Sequence, residues 1–200
     1  MCIRDRFGTN HLGHFALTGL LLPTLLRSPD PRVVTVSSFM HVFGRLHLDD
    51  LQHERRYHRW TAYAQAKLAN LLFAFELDRR AKAAATGLIS VAAHPGYAAT
   101  NLQTAGPRME GQRWLVRVAE TGNRLVAQPA GVGAKPILYA ATAPALRGGE
   151  FIGPQLLMWG HPSRAWCTPL ARDRRGARRL WAVSEELTGV EFEALGTDPG

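Results

Sequence analysis

Tyr63 and Lys67 stand four residues apart in the segment Tyr63-Ala64-Gln65-Ala66-Lys67. If this segment is helical, the phenol and the ammonium lie on one face of the helix. A tyrosine has a reference pKa of about 10, and a neighbouring cation favours the phenolate and lowers that pKa towards neutral pH. The pair could therefore act as a general acid and base on an alcohol or a carbonyl group. A pair at this spacing is a weak motif by itself, because it also arises by chance.

Two more short motifs follow predicted strands. Ser37-Ser38 ends the β-branched segment at residues 32–37, and Pro95-Gly96 follows the apolar segment at residues 87–93. Ligands bind at the carboxyl ends of strands in parallel α/β sheets. A serine hydroxyl there could bond a substrate carbonyl, and a proline followed by a glycine would let the backbone approach a flat ligand. Each motif also has a purely structural interpretation, as the end of a strand or as a turn.

The hydrophobic pattern predicts alternating helices and strands, which is typical of an α/β sheet with parallel crossovers. Helices are predicted at residues 7–27, 62–85, 129–143 and 170–187, and strands at 32–37, 87–93 and 151–158. We expect the first strand to lie centrally in its sheet and Thr61 to cap the second helix. Residues 41–60 are expected to form a surface connection or a short helix. Residues 97–126, with Trp114 and Leu115, suit a flap that either lines an apolar pocket or packs as a lid.

The composition is that of an ordinary globular chain of one domain, with 46% apolar and 20% charged residues among 200. No apolar run has the roughly 20 residues that a membrane-spanning helix needs, and no secretory signal is evident, so we expect a cytoplasmic protein without a membrane span. Clustered arginines at residues 172–179 raise the question of nucleic-acid binding. Because they share a helical pattern with Leu180 and Trp181, we expect a solvated helix face and no nucleic-acid partner.

A metal site is not predicted either. His11 and His14 are three residues apart on a predicted helix, but no carboxylate or cysteine joins them at a ligand spacing. The two cysteines, Cys2 and Cys167, are far apart and form no CxxC motif.

Several motifs in order resemble the classical short-chain dehydrogenases/reductases, and in particular their retinol dehydrogenase-like branch. They are Asn10-His11-Leu12-Gly13-His14-Phe15, Val36-Ser37-Ser38, Tyr63-Ala64-Gln65-Ala66-Lys67-Leu68-Ala69-Asn70, His94-Pro95-Gly96 with Thr100-Asn101-Leu102, Gly148-Gly149-Glu150-Phe151-Ile152-Gly153-Pro154 and Ala177-Arg178-Arg179-Leu180-Trp181. The resemblance implies an α/β fold, the C-terminal portion of a doubly wound parallel sheet of the Rossmann type. It also implies an NAD(P)-dependent oxidoreductase that interconverts an alcohol and a carbonyl compound, with a lipophilic small-molecule substrate.

The resemblance assigns catalytic roles to four residues. Tyr63 would be the general acid and base, and Lys67 would lower its pKa. Ser38 would hold the reacting oxygen, while Asn10 would order a water relay behind Lys67. The 25-residue spacing between Ser38 and Tyr63 is longer than in compact family members, and Ala66 stands where a serine is common.

The resemblance also assigns the cofactor, which would be NADP or NAD with a slight preference for NADP. Tyr63 and Lys67 would contact its nicotinamide ribose, and Pro95, Gly96 and Thr100 would contact its nicotinamide end. The helices beginning near residues 7 and 61 are those that such enzymes often use to form homodimers.

The sequence differs most from the family at the phosphate cradle, the glycine-rich turn that binds the cofactor phosphates. The sequence has no G-x-G-x-x-G turn, and the family's first half-sheet, about a third of its fold, has no counterpart. We therefore expect residues 1–6 to be a non-native leader, residues 7–190 to be the catalytic C-terminal part and residues 191–200 to be a loose tail. Without a phosphate cradle we expect weak or no dinucleotide binding by this chain. The alternative hypothesis is an inactive fragment, or a non-enzymatic scaffold that binds no cofactor.

Overall fold

A computed structural model describes residues 6–55, 57–96 and 129–196. Its elements in chain order are a π-helical turn at Gly8–Leu12, α1 (Gly13–Leu25), β1 (Arg32–Val36), a 3-10 helix at Phe39–Phe43, α2 (Arg59–Ala83), β2 (Ile89–Ala93), α3 (Ala130–Thr142), β3 (Phe151–Leu156), β4 (Trp159–Arg164), a 3-10 helix at Pro169–Arg172, α4 (Arg174–Thr188) and a 3-10 helix at Glu193–Leu195. Within these residues no helix is both long and apolar enough to cross a bilayer.

The four strands form one sheet in the order β1-β2-β3-β4. β1 and β2 are parallel, with Arg32 opposite Ile89 and Val36 opposite Ala93, and β3 is parallel to β2. The connection from β1 through α2 to β2 is therefore a parallel crossover, as predicted, and the α/β class is confirmed.

The sheet has a hydrophobic core on each face. Ala92 and Phe151 pack with α2 and α4 on one face, in a cluster that includes Leu71 and Leu180. On the other face, Val91, Ala93 and Ile152 pack with Ala140 of α3. Helices on both faces are what a doubly wound sheet requires, and the alternation of Val91, Ala92 and Ala93 between the faces follows from the strand's period of two.

The position of β1 in the sheet differs from the prediction. Among the described residues β1 pairs only with β2, so it lies at the edge of the described sheet. Its first three residues are only partly buried and Val36 is exposed. The β-branched composition correctly predicted a strand, but not its burial. A strand's place in a sheet depends on which neighbouring strands are present, which composition does not specify.

α2 carries most of the core and begins earlier than predicted. It starts at Arg59, His58 occupies the N-cap position, and Thr61 lies inside the first turn, so the predicted cap was wrong. Helix boundaries are the least certain part of a prediction from sequence, which explains the error. Most of its alanines are buried, and their small size lets the helix lie close to its neighbours; these are Ala62, Ala64, Ala66, Ala69, Ala74 and Ala81.

The chain after β3 turns back as a second strand that the sequence did not reveal. β4 is antiparallel to β3, and the turn holds Leu157 at a φ of 66°. The predicted single strand at residues 151–158 ran through this turn because no glycine or proline marks it.

Residues next to both predicted boundaries take part in the fold, while a non-native leader at residues 1–6 stays a prediction. Arg6, assigned to the leader, lies in the first helical turn, and its Nε donates to the Tyr57 hydroxyl across 2.9 Å. Phe192 and Leu195, assigned to a loose tail, are 4% and 3% exposed. Phe192 packs against Phe15, with ring centroids 4.9 Å apart, so residues 191–196 close the core because these two apolar side chains have a place to bury. Residues 1–5 and 197–200 lie outside the described residues.

Candidate active site

Tyr63 and Ser38 meet at the carboxyl end of β1. Ser38 lies two residues beyond the strand in extended conformation, and its side chain is hydrogen-bonded to the Tyr63 hydroxyl. The Ser38 Oγ also accepts from the Met40 backbone N–H across 3.2 Å, which fixes the serine as the cap of the following 3-10 helix. The two residues that the sequence placed 25 positions apart are thus adjacent.

Lys67 lies one helical turn beyond Tyr63 and is 9% exposed. Its Nζ is 5.5 Å from the centroid of the Tyr63 ring and donates to the Val36 carbonyl across 3.2 Å. Burial lowers the pKa of Lys67 to about 8, because an ammonium loses hydration when it leaves water.

The expected effect of Lys67 on Tyr63 is not what the structure shows. Burial raises the pKa of Tyr63, and this exceeds the opposing effects of the Ser38 hydrogen bond and of the Arg6 charge. The ammonium lies over the ring and donates to a backbone carbonyl, and it is not among the groups that lower the pKa of Tyr63. The prediction of a lowered phenol pKa is therefore wrong for the chain without a ligand.

Asn10 lies in the π-helical turn at Gly8–Leu12 that precedes α1. Its Nδ2 donates to the Arg6 carbonyl across 2.9 Å, so its amide bonds its own helical turn. π-helical turns often occur at functional sites, but the predicted water relay through Asn10 stays a prediction.

The Pro95-Gly96 turn is held by a histidine. The Nδ1 of His94 accepts from the Gly96 backbone N–H across 3.2 Å, so in neutral His94 the proton is on Nε2. Gly96 has a φ of 71°, and a Cβ there would meet the Met158 carbonyl. Gly153 likewise leaves room for the His94 ring. Glycine at 96 is thus required by the backbone and by its neighbour.

Some predicted features fall outside the described residues. These are Thr100 and the segment with Trp114 and Leu115. Throughout residues 6–55, 57–96 and 129–196, no three His, Cys, Asp or Glu side chains come together in a way that could hold a metal ion.

Buried histidines are the part of the site that sequence reasoning missed. His11 is 1% exposed and its Nδ1 lies 3.2 Å from the Asn70 Oδ1. His41 is equally buried, and its Nδ1 donates to the Ser38 carbonyl across 2.8 Å. The charge of Lys67 helps to lower the pKa of His14, after burial. The sequence carries a signal for this, because His14 follows Asn10 by one helical turn, but two histidines at this spacing also suggest metal ligands.

Comparison with known proteins agrees with this geometry. No family model matches the chain. It is 38% identical to human retinol dehydrogenase 12 over 188 residues, which cover 93% of this chain and 54% of that protein. It is 37% identical to human retinol dehydrogenase 13 over 211 residues, which cover 97% and 56%. A crystal structure of an uncharacterized protein from Mycobacterium Paratuberculosis matches with a TM-score of 0.72 and 43% identity, over 94% of this chain and 60% of that one.

The homologues of this chain belong to the short-chain dehydrogenases/reductases. Its relatives in that family include retinol dehydrogenases 11 to 14, as the motif order predicted. The chain spans about half the length of these curated relatives.

Proposed function

We propose that the whole protein is an NAD(P)-dependent oxidoreductase that interconverts an alcohol and a carbonyl compound. The observation that carries this proposal is the contact of Ser38 with Tyr63, beside the Lys67 ammonium, at the carboxyl end of β1. Two hydroxyls and a cation at such an edge suit a small polar reacting group. The relatives are dehydrogenases by name, which supports the same reaction class.

The nicotinamide half of a cofactor fits the described residues. The Lys67 ammonium has three N–H donors and donates one hydrogen bond to the Val36 carbonyl, so two donors remain for ribose hydroxyls. Gly96 has no side chain to keep a flat ring from the backbone. The sequence offers no G-x-G-x-x-G turn for the phosphates, and weak dinucleotide binding by this chain stays a prediction.

Each side chain then has a task at the reacting oxygen. When bound, the nicotinamide cofactor supplies or accepts the hydride. The Ser38 hydroxyl bonds the substrate oxygen, and Tyr63 donates a proton to that oxygen during carbonyl reduction or accepts one during alcohol oxidation. The Lys67 ammonium bonds the cofactor ribose and stabilises the phenolate that Tyr63 becomes after donating.

The ionisation of Tyr63 favours the acid role at neutral pH. Because burial raises the pKa of Tyr63, its hydroxyl keeps its proton there. Reduction of a carbonyl needs this form at once, whereas oxidation of an alcohol needs the phenolate. We therefore propose that carbonyl reduction is the direction to assay first.

The substrate proposed is a lipophilic aldehyde, ketone or alcohol. Leu156, Leu157 and Trp159 on the β3–β4 hairpin are exposed, and the Met158 carbonyl of the same turn lies against Gly96. An apolar surface beside the proposed nicotinamide position would favour an apolar substrate. NADP as the preferred cofactor, homodimer formation and a cytoplasmic location belong to the same proposal.

The test combines turnover with cofactor binding. Purified chain is mixed with NADPH or NADH and a panel of short and long aldehydes and ketones, and Tyr63→Phe is compared with Tyr139→Phe, which alters an exposed tyrosine of α3. We expect Tyr63→Phe to lower turnover by at least about 100-fold and Tyr139→Phe to have no effect. Turnover that survives Tyr63→Phe would overturn the assignment.

Calorimetric titration with NADP and NAD separates the alternatives. Binding of either cofactor would refute the alternative of a scaffold that binds no cofactor. Absence of both binding and turnover would favour the inactive-fragment hypothesis over the proposed activity of this chain.

A further inference from the structure

A row of buried polar groups runs behind Lys67 from α2 to α4. The Lys67 Nζ and the Asn70 Nδ2 donate to the same Val36 carbonyl, across 3.2 and 3.0 Å. The Asn70 Oδ1 lies 3.2 Å from the His11 Nδ1, and the His11 Nε2 lies 3.1 Å from the Ser184 Oγ. Asn70, His11 and Ser184 are each at most 1% exposed.

The direction of these hydrogen bonds follows from the Val36 carbonyl. A carbonyl only accepts, so Asn70 must turn its amide nitrogen to Val36 and its oxygen to His11. Since that oxygen also only accepts, the His11 Nδ1 must carry a proton. Neutral His11 then has a lone pair on Nε2, and the single hydrogen of the Ser184 hydroxyl is donated either to that lone pair or to the Leu180 carbonyl, which is 2.7 Å from Oγ.

The surroundings of His11 keep it neutral. Its ring packs among Phe7, Phe15 and Phe73, and burial lowers the pKa of His11 to about 4, with a smaller contribution from His14. At neutral pH only one of its nitrogens therefore carries a proton.

We propose that His11 is a positioning residue for Lys67. By its hydrogen bond to the Asn70 side-chain oxygen, it keeps that oxygen away from Lys67, so that the Lys67 ammonium donates to the Val36 carbonyl and not to Asn70. This inference rests on the proposed function in one respect, because the catalytic role of Lys67 is part of that function. The arrangement itself is a property of the chain without cofactor.

Loss of the His11 donor has a specific consequence at Lys67. A freed Asn70 amide can rotate and turn its oxygen towards the ammonium that shares its acceptor. An added acceptor favours the charged form, so the pKa of Lys67 would rise from about 8 by about one unit, the size of one hydrogen bond to a charged group. Among the described residues, Tyr63 and His14 are the other titratable groups near this ammonium.

The chain is well suited to this measurement because it has only three lysines, Lys67, Lys82 and Lys135. Carbon-13 labelling of the lysine ε position gives three NMR signals, which Lys82→Arg and Lys135→Arg assign. The Lys67 signal is titrated in the unmodified chain, in His11→Phe, which keeps an aromatic ring but no N–H, and in His11→Gln, whose amide can still donate to Asn70. Phe15→Leu is the matched control, because it loosens the packing around the same imidazole and leaves the hydrogen bonds intact.

We expect His11→Phe to raise the Lys67 midpoint by about one unit and His11→Gln and Phe15→Leu to leave it unchanged. Equal shifts in His11→Phe and Phe15→Leu would overturn the proposal, since packing alone would then explain the effect. Nitrogen-15 NMR of the unmodified chain gives a second test that needs no variant. A proton on Nε2 instead of Nδ1 of His11 would also overturn it. Because neither measurement uses cofactor or turnover, failure of the proposed activity leaves both results interpretable.

Discussion

The Ser37 hydroxyl donates to the main-chain carbonyl of Lys67 across 2.8 Å, which ties the end of β1 to the middle of α2. Ser37 is 2% exposed, whereas its neighbour Ser38 is hydrogen-bonded to Tyr63. Two adjacent serines thus have different tasks. The first holds the strand against the helix, and the second is the residue that we propose to bind the substrate oxygen.

These different tasks predict that one alanine substitution lowers stability and the other lowers turnover. Ser37→Ala should lower the free energy of unfolding by about 1 kcal/mol, the net value of one buried hydrogen bond. Ser38→Ala should lower turnover by about 100-fold, as expected for loss of a donor to the reacting oxygen. Urea denaturation and steady-state kinetics on both variants check this. Loss of turnover in Ser37→Ala with little change in stability would reverse the assignment.

Acid pH should destabilise the fold through buried histidines. Burial lowers the pKa of His11 and of His94 from 6.5 to about 4. Between these values the unfolded chain binds more protons than the folded chain, so stability falls as the pH drops through this window. For His11 the loss amounts to roughly 3 kcal/mol. Lys67 does not contribute there, because its pKa of about 8 keeps it charged in both states.

The check is the difference in unfolding free energy between about pH 7 and about pH 5, measured by urea denaturation. His11→Phe should make that difference smaller, whatever its effect on stability at pH 7. His161→Gln is the control, because it removes an exposed histidine. A pH dependence that His11→Phe leaves intact would show that His11 is not buried in its neutral form.

Two glycine substitutions should change stability in opposite directions. Gly96→Ala places a Cβ against the Met158 carbonyl at a φ of 71°, and such strain costs about 1–3 kcal/mol. Gly131→Ala, in α3 with no heavy atom within 4 Å of the added Cβ, should stabilise by up to about 1 kcal/mol through helix propensity. Thermal unfolding of both variants tests this. A neutral Gly96→Ala would mean that the turn can open away from Met158.

Carbonyl reduction should slow at alkaline pH. The proposed reaction needs a protonated Tyr63 and a charged Lys67, and burial lowers the pKa of Lys67 to about 8. The rate should therefore fall as the pH rises through about 8, and in Lys67→Arg any residual rate should persist to higher pH because a guanidinium stays charged. Initial rates between about pH 6 and about pH 9 measure this. A rate that does not change over the range would argue that Lys67 acts only as a neutral donor.

The sequence by itself determined the fold class and which helix or strand carries each candidate catalytic residue. Alternating apolar patterns gave the parallel crossover from β1 through α2 to β2, because strand and helix periods are local properties. The spacing of Tyr63 and Lys67 fixed one helix face, and the ordered motifs identified the family that the relatives then confirmed.

Tertiary structure alone decided the place and ionisation of these groups. β1 lies at the edge of the described sheet and Phe192 is buried, since both depend on partners distant in sequence. The pKa of Tyr63 is raised, not lowered, because burial is set by the whole packing and here outweighs a nearby charge. The contact between His11 and Asn70, 59 positions apart, likewise arises only when two helices meet.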